Sequence, residues 1–242
     1  MKIIKVKDYA ELSETAAKIM SDAVKNNPKI TLGLATGGSP VQLYANLVAD
    51  HKNNGTSYKD VTTYNLDEYI GLDQNHEQSY YTFMRTNLFD HIDIDFNNVH
   101  LPKGDTDDHQ AEADRYEAML ESTTVDLQLL GIGTNGHIGF NEPGSSFEGV
   151  TAVVDLTPET IESNARYFEG NEDLVPTEAI SMGIASIMRA KEILLIASGA
   201  NKQKAVLALV EGDISEDLPA SALRNHPNVT LVIDDAAAAL LK

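Results

Sequence analysis

No cysteine occurs among the 242 residues, which removes disulfides, thiolate nucleophiles and thiolate metal ligands together. Basic residues are scarce: 18 Lys and Arg stand against 37 Asp and Glu, giving a formal net charge of -19. Affinity for nucleic acid or anionic lipid rests on cations that neutralise phosphates, so neither is an expected partner. Long apolar runs are missing as well. No window reaches the ~18 to 20 apolar residues of a bilayer span, and the opening MKIIKVKDYAELSE meets an Asp by position 8, unlike a secretory leader. Internal repeats, Pro/Ser-rich linkers, a GxGxxG fingerprint and a P-loop are also lacking. These absences lead to the expectation of a soluble, cytoplasmic protein.

What is present can fill a core. The chain is 42% hydrophobic and 23% charged, the balance of a globular protein, and its length suits one domain over residues 1–242. Ile3, Ile4 and Val6 read as a first strand. Asp8 with Glu11 forms a capping-box pattern before a helix that places Leu12, Ala16, Ile19 and Ala23 on one face. Further strands are expected at ITLGLA (30–35), VTTYNL (61–66), NVHL (98–101), VDLQLLGI (125–132), TAVVDL, KEILLIAS and NVTLVID. Helical stretches separate them near 40–49, 79–89, 107–121, 158–168, 176–189 and 201–211. Several strands are almost continuously apolar, as strands covered on both faces are. The alternation predicts an α/β fold: a doubly wound, mainly parallel, Rossmann-like sheet with helices on both faces.

Ligands of such sheets sit beyond the carboxyl ends of the strands. Three clusters fall there. In ATGGSP (35–40), Thr36, Gly37, Gly38 and Ser39 join a strand to a helix; paired glycines admit a ligand to the backbone, and Pro40 suits the first helical position. A plain βα turn accounts for the same stretch equally well. In NLDEY (65–69), Asp67 and Glu68 are adjacent carboxylates at a strand end. They could be solvated or cap the next helix, or one of them could act as a general base, because neighbouring side chains there point to opposite sides.

The third cluster, GIGTNGHIGFNEP (131–143), brings His137, Asn135 and Glu142 onto one glycine-rich loop. A carboxylate beside an imidazole fixes its tautomer and supports its protonated form, the usual arrangement for a proton-shuttling histidine. A metal is not expected, since a His and a Glu five apart on a loop match no familiar zinc motif. His51, His76, His91, His100, His109 and His226 carry no assigned role. A dianion approaching so acidic a chain needs concentrated positive charge, for which Arg166 in NARYF and Lys202 in SGANK are suitably placed, although both would also pass as ordinary surface cations.

LGLATGGSP, YNLDEYIGL followed by SYYTFMRTNLFDHIDI, GIGTNGHIGFNEPGSSF, NARYF and SGANK, in that order over nearly the whole chain, closely resemble the glucosamine-6-phosphate deaminase (isomerising) family. The TGG turn is shared with the related 6-phosphogluconolactonases, whereas NLDEY with NGHIGFNEP is specific. The resemblance implies conversion of D-glucosamine 6-phosphate to D-fructose 6-phosphate and ammonia with no cofactor. It implies that His137 assists ring opening, that Asp67 moves a proton from C2 to C1, and that Glu142 orients His137. Thr36 to Ser39, Arg166 and Lys202 would hold the phosphate.

Two departures stand out. Many members of the family carry Asp where this chain has Asn135; an amide hydrogen-bonds but brings no charge, so His137 is expected to hold its proton less firmly. Allosteric hexameric relatives bind N-acetylglucosamine 6-phosphate through basic residues after the glycine loop. Here EGVTAVVDL has no Lys or Arg, so a monomer or small homo-oligomer without that activation is expected. Two alternatives remain: a 6-phosphogluconolactonase, which has no need of a proton-transferring Asp67, and a sugar-phosphate sensor without turnover, which would be expected to have lost Asp67 or His137.

Overall fold

The computed structural model describes residues 1–242. In chain order its elements are β1 (Lys2–Val6), α1 (Tyr9–Asn26), β2 (Thr31–Leu34), α2 (Val41–Asn54), β3 (Thr62–Asn65) and β4 (Asp67–Tyr69). Then follow α3 (Tyr80–Asn87), β5 (Val99–His100), α4 (His109–Glu121), β6 (Leu127–Gly131), β7 (Ala152–Asp155) and α5 (Pro158–Asn164). The chain finishes with β8 (Glu178–Ser181), α6 (Ile184–Met188), β9 (Glu192–Ala197), α7 (Gln203–Glu211) and β10 (Val229–Asp234).

The Asp8 side chain accepts the Glu11 N–H, as the capping pattern predicts. The returning carboxylate of Glu11 takes the N–H of Lys7 at 2.7 Å, one residue earlier than a strict capping box. Leu12 and Ala16 are buried on the face that α1 turns inward.

Seven strands form one parallel sheet in the order β1-β10-β9-β6-β2-β3-β5. The chain runs outward in one direction from β2 through β3 to β5, and in the other from β6 through β9 to β10, so the order reverses between the paired strands β2 and β6. At such a switch point the loops after the two strands diverge and leave a crevice. The loops after β2 and β6 are ATGGSP and the glycine-rich histidine loop.

The expected doubly wound, mainly parallel sheet is there, and beside it lies a second one that the sequence reading did not foresee. β4, β8 and β7 make a second, three-stranded antiparallel sheet. Residues 176–189, expected to be helical, contain β8, and only Ile184–Met188 is α-helix. Pairing of β8 with two distant strands outweighs the weak local preference of EAIS. TAVVDL supplies β7 of this small sheet, so it is a strand as expected, in a different sheet. Only Leu66 separates β3 from β4. Its N–H bonds to Leu34 O and its carbonyl accepts Met182 N–H, which ties the two sheets together immediately before Asp67. No helix is long and apolar enough to cross a membrane.

Candidate active site

The turn after β2 is anchored from both sides. Tyr44 Oη donates to Ala35 O at 2.5 Å, and Tyr9 Oη donates to Ser39 O at 3.0 Å. Pro40 sits at the boundary of α2, one residue ahead of the first helical position, with its carbonyl accepting the Tyr44 N–H. Gly37 has φ 83, a left-handed conformation that L side chains adopt only with strain.

Arg166 lies on a 3-10 turn, Ala165–Tyr167, that follows α5. Its guanidinium rests 4.7 Å over the Tyr167 ring, and Nη2 donates to Tyr167 Oη at 2.9 Å. Lys202 ends the 3-10 turn before α7 and is half-buried. Burial first, and then the charge of Arg166, lower its pKa. Neither cation is in a salt bridge: the ion pairs of the protein use Lys7, Lys18, Lys25, Arg85, Arg115, Arg189, Lys191 and two histidines. Two neighbouring cations left without a carboxylate in a chain of charge -19 mark a place for an anion.

Asp67 opens β4 and is 6% exposed. Burial, reinforced by the charge of Glu68, pushes its carboxyl up to about 8. The histidine loop reaches over it: a side chain at Gly139, two residues beyond His137, would begin 3.5 Å from Asp67 Oδ2. Glu68 points the other way, as the pleat requires. It accepts the N–H groups of Tyr80 and Tyr81 at the start of α3. Of the two sequence readings of this pair, one therefore applies to each residue: Glu68 caps the next helix, and Asp67 faces the cleft.

His137 lies flat against Gly133, where any Cβ would fall 2.3 Å from the ring. Its Nδ1 stands 3.4 Å from Glu142 Oε2, an ion-pair distance rather than an aligned hydrogen bond. Asn135 Nδ2 donates to the same oxygen at 2.8 Å, and Asn135 Oδ1 accepts the His137 backbone N–H at 3.2 Å. The amide thus bridges carboxylate and loop. Burial would raise the Glu142 pKa, but His137, the Thr160 hydroxyl and Asn135 more than offset it, and the carboxyl is held at about 2.

Thr36, Gly37, Gly38, Ser39, Asp67, His137, Arg166 and Lys202 all line one cleft of about 270 Å³. Asn135 and Glu142 do not line it; they stand behind His137. Sequence reasoning missed three contributors. Thr157 and Thr160 both turn their hydroxyls toward Glu142 Oε1, and Tyr80 forms part of the wall. The available signal was Thr157-Pro158, an N-cap followed by proline that fixes the start of α5, with Thr160 one turn on.

Residues 7–232 match the family of glucosamine-6-phosphate isomerases/6-phosphogluconolactonases. The glucosamine-6-phosphate deaminase of Halalkalibacterium halodurans is 54% identical over 238 residues, 98% of this chain and 96% of that protein. That of Clostridium novyi is 49% identical over the full length of both. The solved structure of a monomeric glucosamine-6-phosphate deaminase superposes with a TM-score of 0.97 at 48% identity, covering 99% of this chain and 100% of the other. The 6-phosphogluconolactonase of Trypanosoma brucei, 20% identical with a TM-score of 0.82 over 100% of this chain and 98% of its own, shares the fold. With the cleft, the switch-point topology and the full-length similarity in agreement, this chain belongs to the glucosamine-6-phosphate isomerase/6-phosphogluconolactonase family.

Proposed function

We propose that this protein converts D-glucosamine 6-phosphate and water to D-fructose 6-phosphate and ammonia, with no cofactor. The observation that carries the reading is the meeting, in one cleft, of the buried carboxylate of Asp67, the imidazole of His137 and the unpaired cations Arg166 and Lys202. Extended similarity to proteins named glucosamine-6-phosphate deaminase supports the same substrate.

The phosphate lies against the Thr36 to Ser39 turn with Arg166 and Lys202. It is remote from the reacting carbons, so its binding holds the open-chain sugar in register for the chemistry. His137 takes the proton of the C1 hydroxyl and delivers one to the ring oxygen, which opens the pyranose to the aldehyde. Glu142 orients the ring and balances its charge, and Asn135 holds Glu142.

The C2 proton is then acidic beside the C1 carbonyl. Asp67 removes it and returns it to C1, while one ammonium proton passes to the C1 oxygen, leaving a C1 hydroxyl and a protonated imine at C2; water adds there, ammonia departs and the ketone remains. Burial that makes Asp67 a stronger base suits this step. Opening a lactone requires no proton transfer at C2 and would leave Asp67 idle, which separates this reading from a 6-phosphogluconolactonase.

The protein acts in the cytoplasm as a monomer or small homo-oligomer. It is not activated by N-acetylglucosamine 6-phosphate, because the β7 region carries no cation to receive that phosphate. A coupled assay tests the proposal: glucosamine 6-phosphate should yield ammonia and fructose 6-phosphate in equal amounts. Release of neither product by folded protein refutes it.

A further inference from the structure

Glu68 has no part in the chemistry above, yet it is among the most buried acids of the chain at 3% exposure. Its Oε1 accepts the N–H groups of Tyr69 and Tyr80, both at 2.9 Å, and Oε2 accepts that of Tyr81 at 3.0 Å. Tyr80 and Tyr81 are the first two residues of α3, and Ser79 Oγ accepts the N–H of the third, Thr82, at 3.1 Å. The donors that a helix start leaves open are therefore satisfied, two of them by a carboxylate on the strand β4.

The first residue so held, Tyr80, turns its ring into the cleft. It stacks on Phe140 of the histidine loop at 6.2 Å and 12°, and packs against Tyr69 at 4.7 Å. The wall facing the sugar is thus hung from the residue next to Asp67.

Charge points the same way. Asp67 has Glu68 beside it along β4, on the opposite side of the strand, and is faced by the phenols of Tyr80 and Tyr69, by Tyr116 from α4, by Ser181 of β8 and by the histidine loop. On the far side, a small cavity of about 110 Å³ presents Gln74, Tyr81, Lys103 and Asp105 to Glu68. Burial raises the Glu68 carboxyl as well; its three N–H donors work against that rise, and of the charges in this cavity that of Asp105 acts on Glu68 and adds to it.

We propose that Glu68 is a positioning residue for the proton transfer at Asp67: it ties the first turn of α3, and so the Tyr80 wall, to the strand that carries Asp67, and its negative charge strengthens Asp67 as a base. The inference rests on the deaminase reading for its kinetic consequence, and for its electrostatic one on two buried carboxylates standing side by side on β4.

The test is the pH profile of glucosamine 6-phosphate turnover by Glu68→Gln, which keeps the size of the side chain and removes the charge. The acid limb, where Asp67 loses its proton, should move to lower pH by roughly one unit, the scale of a close like-charge interaction. Turnover at its optimum should fall by roughly 10-fold, less than the ~10²–10⁴ attached to a general base itself. Ser79→Ala loosens the same helix start without touching the charge and should leave the acid limb where it is. An unmoved limb in Glu68→Gln, or an equal movement in Ser79→Ala, overturns the proposal.

Should Glu68→Gln not fold, carboxyl NMR of Asp67→Asn against the native protein decides the matter, because coupling between two titrating groups is reciprocal. The Glu68 resonance should titrate at lower pH in the variant, and an unchanged titration overturns the proposal. This arm needs no turnover. Absence of turnover in the native protein would therefore count against the reaction and leave the Glu68 inference to NMR.

Discussion

His137 Nδ1 lies 3.4 Å from Glu142 Oε2, while the other carboxylate oxygen of Glu142 receives the hydroxyls of Thr157, the N-cap of α5, and of Thr160 within it. The carboxylate that supports the imidazole is thus fastened to the helix that leads into Arg166. Its depressed pKa, about 2, makes this cluster a source of stability with a definite sign. A carboxyl whose folded value lies below its unfolded value of about 4.3 stabilises the protein above that value, and the contribution is lost as pH falls toward 2. Urea unfolding should show the native protein losing more stability between pH 6 and pH 3 than Glu142→Gln does. Parallel losses would contradict the ion-pair account.

Arg166 and Lys202 should act on binding more than on chemistry. Charge-assisted hydrogen bonds are worth about 1.5–3 kcal/mol, so Arg166→Ala or Lys202→Ala should raise KM for glucosamine 6-phosphate by roughly 10- to 100-fold, with a smaller change in kcat. Competition by inorganic phosphate should weaken in parallel. A variant that lost kcat alone would place the phosphate elsewhere.

Gly133→Ala tests the seat of the imidazole. A Cβ there would overlap the His137 ring, so the ring must shift by about an ångström, and misplacement of that size costs on the order of 100-fold in rate. Thermal unfolding should show a folded variant, because the displaced ring can move into the open cleft. Near-native kcat would mean that the ring position is not critical.

Initial rates against glucosamine 6-phosphate should follow a hyperbola, unchanged by N-acetylglucosamine 6-phosphate. The stretch EGVTAVVDL, which includes β7, contains no Lys or Arg to receive the phosphate of such an activator. A sigmoidal curve that the acetylated sugar relieves would contradict this.

The sequence made the frame of the molecule readable where local physics sets the outcome. The cap at Asp8 and the apolar runs of β2, β6 and β9 each follow from a few adjacent residues. β8 was not readable, because EAIS becomes a strand only by pairing with β4 and β7, far away in the chain. For the same reason local physics foresees the alternation of Asp67 and Glu68 but not which of them meets the cleft, a choice that only the family resemblance implied. That depends on Leu66 crossing from one sheet to the other. Thr160 carries no signal of its own; its role exists only because α5 folds back over Glu142.

The most direct test of the central claim follows the C2 proton of glucosamine 6-phosphate in D₂O by NMR. The account predicts that the native protein forms fructose 6-phosphate bearing deuterium at C1, to the extent that the proton on Asp67 exchanges before it is returned. Asp67→Asn should bind the sugar phosphate about as well as native protein and leave the C2 proton in place, with turnover lower by roughly 10²–10⁴. An Asp67→Asn protein that still exchanges that proton, or turns over within tenfold of native, would show that another group is the base.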